Sequence, residues 1–266
     1  LEDSGMQPRI LNAFQEQIAQ PNGILLVTGP TGSGKSMTLY SALAQMDSDR
    51  LNVSTVEDPV EYNLEFCNQV QVNEKAGLTF SGSLRSLLRQ DPDIIMIGEI
   101  RDQETSRIAV QAALTGHLVL STLHTNDAPS SITRLLDIGI PAFLLTSTIN
   151  GIIAQRLLRS ICQECKYEIT LTDEQITYLD LEQNEYKVWE GKCCDACRGT
   201  GYKGRTGIFE VLEFTERLKA KITEHTDMAE VYAIAKADGM VSLRELAMQK
   251  MFEGHTTFKE IVSVTG

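Results

Sequence analysis

The sequence predicts an α/β fold in which helices cover both faces of a parallel sheet, with a small metal-binding module and a helical C-terminal part appended. Three observations predict it. Short, continuously apolar runs, at residues 24–27, 94–97 and 118–120, alternate with segments of helical periodicity, the pattern of strands buried on both faces. A glycine-rich segment, Gly29-Pro-Thr-Gly-Ser-Gly-Lys-Ser36, lies between the first of these runs and a helix. Two Cys-x-x-Cys pairs, Cys162/Cys165 and Cys194/Cys197, follow the sheet-forming region.

Taken in order, residues 4–20 place Ile10, Leu11, Phe14 and Ile18 on one helical face, and Pro21-Asn22-Gly23 stops that helix. Ile24-Leu-Leu-Val27 is the first strand, and residues 37–46 form the helix after the glycine segment. Val53-Ser-Thr-Val56 is a second β-rich run. Residues 83–90 are helical and end at Asp91-Pro92, and Ile94-Ile-Met-Ile97 is a buried strand. A helix at 105–114 leads to a strand at 118–121. After Gly207 the pattern turns helical at 218–222, 228–237 and 243–251, with Gly239 and Gly254 as breaks. The expected organisation is a linker and leading helix at 1–22 and a nucleotide-binding core at 23–158. A metal-binding subdomain at 159–206 and a helical subdomain at 207–266 complete it.

At 266 residues and 42% apolar content the chain can bury a sizeable core. Its 36 acidic residues outnumber the 24 basic ones, and a net charge of −12 opposes direct binding to nucleic acid or anionic lipid. The apolar runs are too short to cross a bilayer and no secretory segment opens the chain. A cytoplasmic protein is therefore expected. A first residue of Leu, with the glycine segment only one helix further on, suggests a piece of a longer protein.

The chemistry gathers where the strands end. Gly29, Gly32 and Gly34 allow tight turns that aim backbone N–H groups inward, Lys35 can reach the β- and γ-phosphates, and Ser36 can ligate Mg²⁺. The following helix adds its positive N-terminal end to the same anion site. Residues Gly29, Pro30, Thr31, Gly32, Ser33, Gly34, Lys35 and Ser36, with Met37 next to them, are thus read as a nucleoside triphosphate site. Ligands of open parallel sheets sit beyond the carboxyl ends of the strands, so Glu57, Asp58, Glu99 and His124 are expected at the same edge. Glu99 can orient a water and accept its proton. Position 98, where an aspartate would hold Mg²⁺, is glycine, so Glu57 and Asp58 are assigned to the metal and its waters. His124 is read as reporting on the γ-phosphate, and His117 as a candidate sensor.

The two cysteine pairs supply four thiolates for one tetrahedral ion, which makes a structural zinc site with no open position for water. The intervening residues 166–193 are polar and long enough for a lobe of their own. Cys193 could replace Cys194, but only Cys194 has the x₂ spacing to Cys197. Cys67 stands alone and is read as a small apolar residue.

Together the motifs resemble a known family. Gly29 to Ser36, Thr55-Val-Glu-Asp-Pro-Val-Glu61, Arg89-Gln-Asp-Pro-Asp-Ile-Ile-Met-Ile-Gly-Glu-Ile-Arg-Asp102 and Thr115-Gly-His-Leu-Val-Leu-Ser-Thr-Leu-His-Thr-Asn126 look like successive signatures of the secretion ATPases of type II secretion and type IV pilus assembly. The four cysteines and Gly201-Tyr-Lys-Gly-Arg-Thr-Gly207 extend the likeness over nearly the whole chain. The resemblance implies a RecA-like P-loop core using ATP and Mg²⁺. It places Lys35 and Ser36 in the Walker A loop, Glu57 and Asp58 in an acidic box, Glu99 as the Walker B glutamate, and His117 and His124 in a histidine box. It also implies a homo-hexameric motor in the cytoplasm, held at the inner membrane by a platform protein and other secretion or pilus components. The tetracysteine insert favours the assembly and export branch, since retraction motors generally lack it. In the family a PAS-like domain precedes the ATPase domain and contributes arginines to the nucleotide site, whereas only a short helix precedes the loop here. The chain thus looks like the C-terminal ATPase domain alone, with weak activity expected. The alternatives are a competence or DNA-uptake motor, or a nucleotide-binding regulatory subunit with little turnover.

Overall fold

The computed structural model describes residues 5–47 and 50–265. Of the segments expected above, residues 1–4, Ser48, Asp49 and Gly266 lie outside them. Two compact units form, each considered by itself: one runs up to Gln155 and includes Glu210–Met240, the other comprises Arg156–Phe209 and the residues from Val241 on.

In the first unit, helix α1 (Pro8–Ile18) buries Phe14 completely, with proline in its first turn, where a missing N–H is harmless. Strand β1 (Gly23–Thr28) is followed by helix α2 (Lys35–Leu43), and β2 (Val53–Glu57) by the short strand β3 (Asn68–Gln71). Helix α3 (Phe80–Leu87) starts earlier than its periodicity suggests because Thr79 caps it, accepting the Gly82 N–H at 3.1 Å. Strand β4 (Ile94–Ile97), helix α4 (Gln103–Leu114) and strand β5 (Leu118–Leu123) follow. Thr122 and Leu123, expected just past the strand, are its last two residues. Helices α5 (Ser130–Ile138) and α6 (Ala142–Thr148) lead to the long strand β6 (Ile149–Ile161).

The sheet order is β3-β2-β4-β5-β1-β6, with the strand at Tyr202–Glu213 beyond β6. The first six strands pair in parallel. Every residue of β1, β2, β4 and β5 is buried, which accounts for the apolar runs at 24–27, 94–97 and 118–120. Polar β3 is an edge strand, and its sequence Asn-Gln-Val-Gln carries no apolar alternation to announce it.

In the second unit, strands β7 (Lys166–Thr170) and β8 (Lys187–Gly191) pair antiparallel, with helix α7 (Asp173–Tyr178) between them. Strand β9 (Tyr202–Glu213) starts in this unit and ends in the first. It leads to helices α8 (Glu216–Lys219) and α9 (Met228–Ala237) in the first unit, then α10 (Leu243–Phe252) and α11 (Phe258–Thr265) in the second.

The expected helical segment 207–266 is therefore divided at Val241, and polar anchors explain the division. Glu210, almost fully buried, accepts the Ala128 N–H at 2.8 Å, and Glu224 accepts the Ala142 N–H at 3.0 Å, which ties 210–240 to the nucleotide core. Buried Glu260 of α11 is gripped by Arg159 through Nε at 2.8 Å and Nη2 at 2.6 Å, and it also accepts the Arg159 backbone N–H at 2.9 Å. Thr256 Oγ1 donates to the Arg159 carbonyl at 2.9 Å. These bonds hold the last two helices to β6 within the second unit.

Candidate functional site

The phosphate loop joins the carboxyl end of β1 to α2. Gly29, Gly32 and Gly34 have φ of +148°, +80° and +88°, conformations that resist a side chain. A Cβ at Gly29 would lie 2.4 Å from the Gln155 carbonyl oxygen and 2.6 Å from Ser33 Oγ, so that position has neither the space nor the torsion for alanine. Gly34 caps α2 in the left-handed region, leaving the helix's first N–H groups, from Lys35 on, without intrahelical partners. Nearly buried Lys35 donates from Nζ to the carbonyls of Gly29 at 2.9 Å and Pro30 at 3.0 Å. Ser33 Oγ is buried without a hydrogen-bond partner among the described residues. The loop thus presents a coiled cation, an unmatched hydroxyl and a helix N-terminus to one space, a donor set that fits a polyphosphate.

Topology decides what joins the loop. Because β5 lies between β1 and β4, the residue after β5 arrives between the loop and the end of β4. That residue is His124, whose Nε2 stands 3.6 Å from Glu99 Oε2. Burial, then the nearby Lys35 ammonium, lower the His124 pKa, while Glu99 opposes the shift; the imidazole is neutral at neutral pH. Glu99 is mostly buried and also pairs with the exposed guanidinium of Arg101. Beyond His124 the chain is tied back to the loop: Thr125 donates its N–H to Thr28 Oγ1 at 3.0 Å, and the two hydroxyls meet at 2.5 Å.

Glu57 and Asp58 reach the same edge in different states. The Glu57 carboxylate is buried and accepts from Tyr40 OH, from Thr55 Oγ1 at 2.5 Å and from Gln69 Nε2 at 3.0 Å. Burial first, then the bond to Glu57, push the Tyr40 phenol up to about 12. Asp58 is exposed. Met37 is half exposed beside Ser36.

His117 is not brought to this edge. It precedes β5, and six strand residues at about 3.3 Å each put it roughly 20 Å from His124. Its Nδ1 lies 2.9 Å from the Ala112 carbonyl and 3.2 Å from Thr115 Oγ1, closing the end of α4.

Arg101, Tyr40 and Gln155 are site residues that sequence reasoning did not single out. Arg101 stood two residues from Glu99 within a quoted motif. Tyr40 and Gln155, whose Oε1 accepts from Thr38 Oγ1 at 2.8 Å, carry no local signal, because strand order alone brings them in.

In the second unit, Cys162, Cys165, Cys194 and Cys197 converge with all four Sγ atoms within 4.8 Å of one another. The Sγ separations are 3.8 Å for Cys162/Cys194, 3.9 Å for Cys165/Cys197 and 3.8 Å for Cys194/Cys197. A tetrahedron with metal–sulfur bonds of about 2.3 Å has edges of about 3.8 Å, so the four thiols fit a zinc ion. Backbone N–H groups of Cys194 at 3.1 Å and Gly201 at 3.2 Å point at Cys197 Sγ. The Cys194 N–H, foremost, pulls that thiol down to about 6. Cys193 is exposed, turned outward by a φ of +69°, and takes no part.

A parallel α/β sheet with a phosphate loop after β1 and carboxylate and imidazole groups on neighbouring strand ends defines a nucleotide-binding ATPase fold of the P-loop class. Its particular kind follows from the comparisons. The chain belongs to the Type II/IV secretion system protein family, which it matches over residues 1–263. It is 49% identical over 265 residues to the type II secretion system protein HxcR of Pseudomonas aeruginosa, covering 100% of this chain and 53% of that protein. It is 46% identical over 268 residues to the type IV pilus assembly ATPase PilB of Thermus thermophilus, covering 100% of this chain and 30% of that one. The chain thus spans about half or less of the length of these curated relatives. Among solved structures it resembles the pilus retraction motor PilT with bound ADP, with a TM-score of 0.71 and 28% identity over 99% of this chain and 66% of that one. The DotB ATPase of Legionella pneumophila gives a TM-score of 0.70 at 25% identity, covering 100% of this chain and 64% of that one. Among the described residues no helix is long and apolar enough to cross a membrane.

Proposed function

We propose that this chain is the ATP-hydrolysing motor domain of a type II secretion or type IV pilus assembly machine. One observation carries the reading: the phosphate loop, the His124 imidazole and the Glu99 carboxylate meet at one sheet edge, with His124 3.6 Å from Glu99 and within electrostatic reach of Lys35.

In this reading the loop N–H groups and the α2 terminus hold the phosphates of ATP, and Lys35 exchanges its two loop carbonyls for β- and γ-phosphate oxygens. Ser36 and exposed Asp58 would hold Mg²⁺ and its waters, while Glu57, bound by three donors, keeps the strand end rigid. A Mg²⁺ held there would supply positive charge against the charge that develops on the phosphate oxygens. Glu99 orients the attacking water and takes its proton, for which Arg101 must release the carboxylate. Neutral His124 donates to the γ-phosphate, and Thr125 carries its position to Thr28 at the head of the loop. The four cysteines hold zinc for structure alone, since four thiolates leave no open position.

The chain works in this reading as a homo-hexamer in the cytoplasm, peripheral to the inner membrane through a platform protein. It depends on an N-terminal domain for full turnover, because an arginine supplied to phosphoryl transfer is worth about 10³-fold or more. A net charge of −12 disfavours direct work on DNA.

The test is Glu99→Gln in this chain and in one extended at its N-terminus. A motor keeps nucleotide affinity and loses hydrolysis by about 10²- to 10⁴-fold. Unchanged hydrolysis refutes the role of Glu99, and tight binding with no Glu99-dependent turnover in either length indicates a regulatory nucleotide-binding subunit.

A further inference from the structure

In the first unit a groove of about 710 Å³ runs between α3 and α4. One wall is a single face of α4, marked by Gln103, Arg107, Gln111 and Thr115, each four residues from the last; the other wall carries Arg85 and Arg89. At about 1.5 Å per helical residue the groove is roughly 18 Å long.

Its arginines are unevenly matched. Arg85 is paired with Glu104 at 2.7 Å. Arg89 donates only to the Arg85 carbonyl at 2.9 Å and to Ser86 Oγ at 3.4 Å, and Arg107 has no polar partner among the described residues. Two guanidinium forks without a carboxylate are conspicuous in a chain whose acids outnumber its bases 36 to 24. Among the described residues the one ring lining the groove is the His117 imidazole, held at Nδ1 against the Ala112 carbonyl and Thr115 Oγ1, so the groove offers little platform for a nucleobase. It suits carboxylates spaced along a peptide.

The same chain displays such a peptide elsewhere. The loop after β2 exposes Glu61, Tyr62 and Glu65. Neither carboxylate has an ion pair among the described residues, and Tyr62 is 60% exposed. Glu61 and Glu65 are at most about 14 Å apart along an extended chain, within the length of the groove. The loop does not line its own chain's groove. A loop and a groove on different patches join head to tail, the heterologous arrangement that closes into rings.

We propose that the α3–α4 groove receives the Glu61–Glu65 loop of a second copy of this chain, with Arg89 and Arg107 binding its carboxylates. The proposal rests on the reading of this chain as an oligomeric ATPase. It also links neighbouring nucleotide sites. Tyr62 packs edge-on against Tyr40 with ring centroids 6.3 Å apart, and Tyr40 donates to Glu57. A neighbour that grips the loop therefore acts on the acidic end of β2, beside the nucleotide.

The experiment is a charge exchange followed by sedimentation over a range of protein and salt concentrations. Arg89→Glu with Arg107→Glu makes one variant, and Glu61→Arg with Glu65→Arg makes the other. Each variant alone should lose self-association by at least about tenfold in dissociation constant. A mixture of the two should recover it, because each variant's loop then meets an opposite charge in the other's groove. All four substitutions in one chain should recover it as well, and added salt should weaken it. Association that ignores both variants, failure of the mixture to recover, or a wild-type chain that stays monomeric at every concentration overturns the proposal. Nucleotide binding is measured on the wild-type chain alone, where its absence marks failure of the ATPase reading, whereas binding without self-association marks failure of the proposal.

Discussion

Tyr40→Phe isolates the bond that holds the acidic end of β2. Glu57 is 3% exposed and its carboxylate has three donors, so removing one hydroxyl leaves a buried charged oxygen short of a partner. A hydrogen bond to a charged group is worth about 1.5–3 kcal/mol, and the ring itself still fills its space. The Glu61 N–H, 3.2 Å from the same hydroxyl, belongs to an exposed residue and can turn to water. The expected loss is therefore about 2 kcal/mol, read from urea denaturation at neutral pH. Burial of the phenol, and after it the same bond, set a pH dependence. The Tyr40 phenol is raised in the folded chain to about 12, from about 10 when unfolded. Its stabilisation is fully present below about pH 10 and disappears between about 10 and 12, because the unfolded chain gives up the proton first. In Tyr40→Phe that part of the alkaline loss should be missing. A variant that loses under about 0.5 kcal/mol and keeps the wild-type alkaline profile would show that the phenol does not hold Glu57.

Gly29→Ala should abolish binding of a fluorescent ATP analogue, because the new methyl overlaps the Gln155 carbonyl and Ser33 while φ stays at +148°; measurable binding would mean the loop has another shape. Stripping metal with a strong chelator should release about one zinc per chain and expose the second unit to protease, as should Cys197→Ser. Cys193→Ser should do neither, since Cys193 lies outside the cluster. Arg159→Met leaves buried Glu260 with only a backbone donor. Discounted for the half-exposed arginine, the loss should be about 2 kcal/mol in denaturation, and Glu260→Gln in the same chain should return part of it.

Much of the site was legible because its chemistry is local. The phosphate loop needs glycines at fixed spacing and a cation directly after them, and those needs are written in eight consecutive residues. Glu99 and His124 were readable as polar residues closing continuously apolar strands. The cysteine pairs declared themselves by spacing, and the choice of Cys194 over Cys193 follows from the outward turn at Cys193. Polar edge strand β3 and long β6 were not legible, since their residues show neither clean alternation nor a continuous apolar run, and the alternation of Lys166-Tyr-Glu-Ile-Thr170 is hidden in a segment read only as polar.

The sequence by itself determined the class of fold, the glycine-rich loop, the carboxylates and imidazole offered at strand ends, and the four cysteines that cluster. Each of these depends on short-range backbone geometry or on the chemistry of a single side chain. The tertiary structure alone decided how those groups combine. Placing β5 between β1 and β4 set His124 beside Glu99 and left His117 at the far end of the sheet. Packing around Tyr40, Thr55 and Gln69 made Glu57 a held carboxylate while Asp58 stayed exposed. Residues 210–240 joined the nucleotide core through the buried bonds of Glu210 and Glu224. These outcomes turn on strand order and on contacts between residues dozens of positions apart, which no local pattern encodes.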